Sequence, residues 1–433
     1  MKQILDLHIH SKYSRACSRD LELPNIAQAC HIRGIDIVAT GDFTHPGWFE
    51  HMKDFLVEDT EGIYKLKKQD TTSNFQLPQT KFIIGTEIAS IKKHKDQTRR
   101  IHLCIFAPNL EVAEKFNNRL SEMGFNLKSD GRPILGLTSK QILEIMLETD
   151  ERMVMIPAHA WTPWFGILGS KGGYDSLDEA FEELTPYVRA IETGLSSDPL
   201  MNWRCSWLDT ITLVSNSDAH STAKLGREAN VIEFDSEKDI TYTEIMRIIG
   251  EGDRKNFLYT IEFYPEEGKY HWDGHRDCKF SCSPEETVKY KGICPVCKKH
   301  LVIGVESRVH ELSDRNIEQA REVGAQKMIA YKSLVPLPEI IADAFECGVQ
   351  TKRVRDIYDN IIKQLGSEFH VLIDVHLSEI EKASSKQIAQ AVERVRGGKI
   401  FVKPGFDGEF GVVKVFEQGE RRTGMKQAGL DFD

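Results

Sequence analysis

Nine histidines and carboxylates recur where short apolar runs of the sequence end. His8 and His10 follow Ile4-Leu5-Asp6-Leu7, Asp42 and His45 follow Ile37-Val38-Ala39, and Glu87 follows Phe82-Ile83-Ile84-Gly85. His102 lies within a strand-like run, His159 comes after Met155-Ile156-Pro157, and Asp218 and His220 come after Leu213-Val214-Ser215. Residues two apart on a strand project to one face, so His8 and His10 can hold a single cation. An isolated His is an ordinary surface or hydrogen-bonded residue, but recurrence at successive strand ends points to a centre holding divalent metal.

The cysteines divide in the same way. Nine are present, an odd number, and five are scattered. The other four read Cys278-x3-Cys282-x11-Cys294-x2-Cys297, two close pairs across a short loop. That spacing suits tetrahedral thiolate coordination of zinc in a closed, structural shell better than a disulfide framework.

Strand-like runs at 4–9, 35–40, 81–86, 101–106, 153–157, 187–192 and 211–216 must position the donors. Helical stretches separate most of them: Leu23 to Arg33, Glu111 to Met123, and Ser139 to Leu147, which Thr138 can cap. Alternation of this kind predicts parallel βα units closing into a barrel-like first domain, with polar residues at the strand ends where barrel active sites lie. Residues 54–80 and 92–99 read as insertions, the second a charged, solvated loop. Past a cysteine-bearing segment at about 265–303, helical periodicity covers 313–323, 338–347, 352–365 and 378–396. Lys399 to Phe416 reads as strands about a turn.

Composition bounds the class. At 433 residues, 40% hydrophobic and 28% charged, the chain is long enough for several cores and is not a disordered polymer. A net charge of −10 gives no bulk attraction to nucleic acid, so any DNA binding must use a local patch or bound cations. Residues 288–332 supply one such patch, with nine Lys/Arg against five Asp/Glu. No apolar run approaches the length that spans a bilayer, and a cytoplasmic, nucleoid-associated protein with no membrane partner is expected.

Asp6-Leu7-His8-Ile9-His10, Thr40-Gly41-Asp42, Gly85-Thr86-Glu87, Pro157-Ala158-His159 and Ser217-Asp218-Ala219-His220 resemble the successive motifs of the polymerase-and-histidinol-phosphatase (PHP) superfamily. The longer stretches Thr40 to Trp48, His159 to Ser176, Glu192 to Asn202 and Ile261 to Cys278 resemble endonuclease Q, and this resemblance covers nearly the whole chain. It implies an α/β fold: a distorted (β/α)7 PHP barrel over 1–262, a small four-cysteine zinc module over 263–303 and a mainly helical C-terminal DNA-binding region over 304–433. It also implies a metal-dependent DNA repair endonuclease that nicks 5′ of deaminated bases (uracil, hypoxanthine, xanthine) and of abasic sites. Carried over, His8, His10, Glu87 and Asp218 hold one metal, and Glu87 bridges to a second held by His102 and His159. Asp42, His45 and His220 hold a third. Where many PHP proteins have a further histidine, this chain has Arg15-Ala16-Cys17.

Clustered divalent cations activate water and stabilise the leaving alkoxide, so no protein nucleophile is required. Glu87, His159 and Asp218 are the expected catalytic residues, with Mg²⁺ or Mn²⁺ for catalysis and Zn²⁺ in the cysteine site and the barrel. Reading a deaminated base requires extruding it from the duplex. Trp161, Trp164, Phe165 and Tyr174 are candidate pocket walls, Gly169 to Gly173 with Lys171 a candidate cradle, and Tyr270 and His271 neighbouring contacts. The last residues, with Gln427, Leu430 and Phe432, resemble the peptide that bacterial repair and replication proteins insert into the sliding clamp. Two other readings stay open: a small-molecule phosphoesterase of PHP type, and an inactive PHP DNA-binding adaptor.

Overall fold

The computed structural model describes residues 1–67, 79–95 and 97–417. The clamp-like tail, with Gln427, Leu430 and Phe432, lies outside them.

The apolar runs become strands as their β-branched content dictates. Lys2–Asp6 pairs in parallel with Ile37–Ala39, which pairs in parallel with Lys81–Ile83. Gly85–His94 then doubles back against Gln97–Phe106, and the latter pairs antiparallel with Val154–Pro157. A bond from Ala160 N to Glu192 O (2.8 Å) leads to Ala190–Glu192, which is parallel to Thr212–Val214. A parallel bridge between Ile9 and Ala219 returns the circuit to its start.

Two expectations change. Residues 92–95 and 97–99 form the end of a long antiparallel hairpin, in register from Gly85↔Phe106 to His94↔Gln97, in place of the expected solvated loop. Its ladder is anchored from the side: the Arg99 guanidinium lies 4.2 Å from the Tyr174 ring centre, and the Tyr174 hydroxyl meets His94 Nδ1 at 2.8 Å. With no helix between its two strands this unit cannot be parallel, so the expected run of parallel βα units is interrupted there. The 54–80 insertion contributes Leu56–Thr60 and Ile63–Leu66, which extend the main sheet beyond Lys81–Ile83.

Helices Leu23–Arg33, Leu110–Glu122 and Ser139–Thr149 fall where their periodicity places them. Thr138 closes a reciprocal capping box with Gln141. The C-terminal region is mainly helical, with Leu337–Ala344, Lys352–Leu365, Glu368–Ile373, Leu377–Ala383 and Lys386–Arg396. The expected single helix over 378–396 breaks at Ser384-Ser385, where Ser385 caps the second half by accepting from Ile388 N. The region also contributes a strand, Ala330–Ser333, parallel to Phe257–Glu262 at the edge of the main sheet. Buried Glu368 fastens the helices to that body: it accepts from Leu337 N and Tyr358 Oη (2.8 Å each) and pairs with Arg33 at 3.1 Å. No helix among the described residues is long and apolar enough to cross a membrane.

Candidate metal centre and neighbouring pocket

The donors converge at the ends of the strands. His8, His10, Glu87 and Asp218 present ligand atoms all within 4.8 Å of one another, and Glu87, His102 and His159 form a second such set. Glu87 is common to both. Its Oε1 lies 2.8 Å from His102 Nδ1 and 3.2 Å from His159 Nε2, while Oε2 lies 3.3 Å from His10 Nε2 and 2.8 Å from Arg132 Nη1. Close approach of backbone makes this possible. Gly41 sits at φ +65°, where a Cβ would come 2.5 Å from Ile9 O, and Gly194 at φ +62°, where one would come 2.5 Å from the His159 Cβ. Asp42, His159 and Asp218 themselves adopt positive φ (48°, 30° and 46°), backbone strain of the kind that gathers at functional sites.

Partners behind the donors orient them. Glu192 faces His8 Nδ1 through both oxygens, at 3.1 and 3.0 Å. Asp42 faces His10 Nδ1 at 3.2 Å, and Thr162 Oγ1 faces His159 Nδ1 at 2.8 Å. Fixing one ring nitrogen commits the other to the centre. His8 Nε2 is buried without a hydrogen-bond partner, between Glu87 at 3.6 Å and Asp218 at 3.7 Å. A buried imidazole nitrogen orphaned among carboxylates fits a divalent cation.

Charge is distributed to match. Burial opposes ionisation of Glu87, but His102, Arg132 and His8 outweigh it and hold the carboxyl well below its ordinary range. Burial likewise disfavours charge on Asp218, which His10 and His8 overcome. Burial pushes His102 down to about 4, leaving a neutral ring with a lone pair to give. Asp218, with its side chain 27% exposed, is the acidic donor of the centre that reaches solvent, whereas Glu87 is sealed.

The expected third set does not assemble among the described residues. The Asp42 Oδ2 oxygen is consumed by Ser11 N (2.7 Å), Ser11 Oγ (2.6 Å) and Ser14 Oγ (2.8 Å), so Asp42 supports His10. The His45 ring stacks on Tyr13 at 4.1 Å. His220 packs beside His10, ring centres 4.6 Å apart, with Nδ1 on the Asp218 carbonyl at 2.8 Å.

In the cysteine segment, the donors within 4.8 Å of one another are His275, Cys278, Cys294 and Cys297. Cys282 was expected in this set. Its thiol instead lies 3.2 Å from Thr287 Oγ1 and is buried with Leu301, whereas His275 Nδ1 is 3.7 Å from Cys297 Sγ.

The proposed pocket walls separate as well. Trp161 is fully buried and donates from Nε1 to Asn202 Oδ1 at 2.7 Å, so it is a core residue. Tyr174 is also buried, against Arg99 and His94, and Phe165 stacks on His102 at 4.3 Å. The glycine-rich loop spends amides on itself: Gly169 N, Lys171 N and Gly173 N donate to Gly166 O, Pro163 O and Gly169 O. The Lys171 side chain remains exposed. Trp164 is different. It is 45% exposed, meets Tyr270 edge to face with ring centres 5.6 Å apart, and with Thr162, Ser196, Lys269 and His271 lines a cavity of about 210 Å³. His271 is buried, which pushes its imidazole down to about 4, and its Nδ1 has no hydrogen-bond partner. Thr162 joins cavity to metal centre, since it lines the one and holds His159 of the other.

Glu192 and Arg132 are the important residues not assigned from sequence. Glu192 carried a signal, a carboxylate ending a strand-like run; Arg132, in a loop, carried none.

Comparison with known proteins gives a consistent neighbourhood. The family model of the MJ0043 C-terminal domain matches residues 336–399. The protein MJ0043 of Methanocaldococcus jannaschii is 32% identical over 279 residues, 63% of this chain and 34% of its own length. The chain thus spans about a third of that relative. YqxK of Bacillus subtilis is 28% identical over 431 residues, covering 96% of this chain and all of YqxK. The crystal structure of the lesion-specific endonuclease EndoQ from Pyrococcus furiosus superposes with a TM-score of 0.81 at 29% identity, over 96% of this chain and 95% of that one. A structure of endonuclease Q in complex with a 27-mer duplex substrate, an abasic lesion at its active site, gives 0.80 at 29% identity over 96% and 97%. The chain is thus similar along almost its whole length to two solved structures of endonuclease Q.

Proposed function

We propose that the protein is a metal-dependent DNA repair endonuclease that hydrolyses the phosphodiester 5′ of deaminated bases (uracil, hypoxanthine, xanthine) and of abasic sites. The observation that carries this reading is the pair of donor sets sharing Glu87. It is supported by likeness along almost the whole chain to an endonuclease solved with a lesion-bearing duplex. In this reading residues 1–262 form a distorted (β/α)7 PHP barrel, 263–303 a structural zinc module and 304–433 a DNA-binding region.

His8, His10, Glu87, His102, His159 and Asp218 would hold divalent cations, Mg²⁺ or Mn²⁺ with zinc as a further occupant, which when bound would supply charge relief at the phosphate. The chain's own residues do the rest. His8, His10 and His159 present nitrogens held in one orientation by Glu192, Asp42 and Thr162, and His102, its ring stacked on Phe165, presents Nδ1 beside Glu87. Asp218, open to solvent on one side, orients the attacking water. The pocket of Trp164, Tyr270 and His271 takes the extruded nucleotide; His271, uncharged at neutral pH, faces it as a hydrogen-bonding partner. His275 would complete the zinc shell of Cys278, Cys294 and Cys297, and a closed shell of this kind is structural. The tail carrying Gln427, Leu430 and Phe432 is a sliding-clamp ligand on its sequence, and deleting 427–433 abolishes clamp binding in this reading.

The test is a set of end-labelled duplexes carrying one uracil, hypoxanthine or abasic site, incubated with Mn²⁺ and mapped against size standards. Nicks on the 5′ side of each lesion, leaving 3′-hydroxyl and 5′-phosphate ends, are expected. Equal cutting of undamaged duplex, or release of phosphate from small monoesters alone, overturns the reading.

A further inference from the structure

An exposed phenylalanine stands beside the pocket, and no part of the metal chemistry uses it. Strands Phe401–Lys403 and Val412–Lys414 pair antiparallel, and the segment joining them folds over residues 266–272. Gly405 N donates to Glu266 O (2.8 Å), Gly408 N to Lys269 O (2.9 Å) and Gly411 N to Glu267 O (3.0 Å), while Trp272 N donates to Gly405 O (3.0 Å). Arg276 N adds a bond to Asp407 Oδ2 at 2.6 Å. The loop is therefore held along its length by the segment that supplies Lys269, Tyr270 and His271 to the pocket.

On this loop Phe410 is 69% exposed, matched among the large exposed hydrophobics of the described residues only by Val288. A single exposed apolar residue needs no explanation in itself. Three features set this one apart. Its backbone is fixed by the bonds above, so the ring is presented by a rigid support. The Lys269 ammonium lies over the ring, 4.3 Å from its centre, placing a phosphate-seeking cation beside an apolar face. Lys269 itself lines the cavity shared by Trp164 and Tyr270, and Thr162 of that cavity holds His159. A contiguous path thus runs from the metal centre through the pocket to Phe410.

We propose that Phe410 is a wedge that enters the base stack where the nucleotide has left for the pocket, with Lys269 on the adjoining phosphate. Extrusion leaves a gap whose neighbouring bases lose stacking, and an apolar side chain filling it restores that contact and holds the duplex open. The proposal rests on the endonuclease reading. It deepens that reading by naming how the protein engages a duplex as opposed to a single strand.

Phe410→Ala and Phe410→Leu are compared with wild type on one uracil-containing sequence, as duplex and as single strand. A second readout places 2-aminopurine next to the uracil and follows its fluorescence on binding with Ca²⁺ in place of catalytic metal. In Phe410→Ala the ratio of duplex to single-strand kcat/KM should fall about tenfold, the size of one lost aromatic stacking contact, with partial recovery in Phe410→Leu. The fluorescence rise on binding duplex should be lost in step. An unchanged ratio with an unchanged fluorescence rise overturns the wedge. Equal losses on both substrates also overturn it, because a packing role affects them alike. If wild type binds duplex without cutting it, the endonuclease reading fails, while the fluorescence comparison still decides the wedge.

Discussion

Glu192 and His8 are joined through both carboxylate oxygens, at 3.1 and 3.0 Å from Nδ1, in a site where neither side chain is more than 2% exposed. This contact fixes the His8 tautomer and turns Nε2 toward Glu87 and Asp218. Glu192 also accepts from His159 N (3.0 Å) and Asn216 Nδ2 (2.9 Å), so one carboxylate positions donors of both sets. In Glu192→Gln, the Mn²⁺ concentration for half-maximal nicking should rise about 10- to 100-fold, the usual effect of losing an outer partner of a ligating histidine. An unchanged metal titration in a folded variant would remove Glu192 from the centre.

The two tryptophans should part company. Trp161 is core, and Trp161→Ala should cost about 3–5 kcal/mol of stability. Trp164→Ala removes a half-exposed ring and should leave the melting temperature nearly unchanged while weakening nicking at uracil more than at an abasic site, which has no base to stack. Denaturant melts with paired kinetics check both, and equal kinetic losses on the two lesions would mean Trp164 is not a base contact.

Stability should depend on pH through a buried carboxyl far from the surface. Burial pushes Glu262 up to about 7, even though the hydroxyls of Ser215, Thr260 and Thr193 contact it. The folded state then keeps a proton that the unfolded chain releases at the ordinary, lower value. Stability therefore falls as pH rises from about 4.5 to about 7 and is flat above, by roughly 1–3 kcal/mol for this group. Glu262→Gln should make that part of the profile less steep in melts between pH 5 and 8, with Asp198, Glu267 and Asp6, which burial also pushes up, keeping the rest of the slope; an identical slope in the variant would contradict the assignment.

Cys294→Ser should lose zinc on elemental analysis and lower the melting temperature, because a structural zinc site contributes folding free energy directly. Wild-type protein purified without chelator and containing no zinc would remove the basis of this prediction.

Much of the centre is legible in the sequence because the strands that carry it are apolar and stop at a His, Asp or Glu. His8, His10, Glu87, His102, His159 and Asp218 follow from that pattern together with the family motifs. Burial is where legibility ends. Trp161 and Trp164 are three residues apart in one motif, and only the packing around Asn202 separates a core ring from a half-exposed one. Asp42 has the chemistry of a ligand, and only the three donors on its Oδ2 show that it serves His10. Lys92 to Arg99 lacks the alternation of a strand, because its ladder is held by Tyr174 from another part of the chain. The Cys282 spacing is attractive on paper, yet the thiol turns to Thr287 while His275 faces Cys297.

The central claim is that the Glu87 centre cuts DNA at a lesion with the help of divalent metal. Its most direct test is nicking of a uracil-containing duplex by chelator-treated protein, with Mn²⁺ then restored, in wild type and in Glu87→Gln. The account predicts no nick after chelation, recovery of a 5′-side nick in wild type on adding Mn²⁺, and a loss of at least about 100-fold in Glu87→Gln that excess metal does not repair. Undiminished nicking after chelation, or a Glu87→Gln protein that cuts at the wild-type rate, would contradict it.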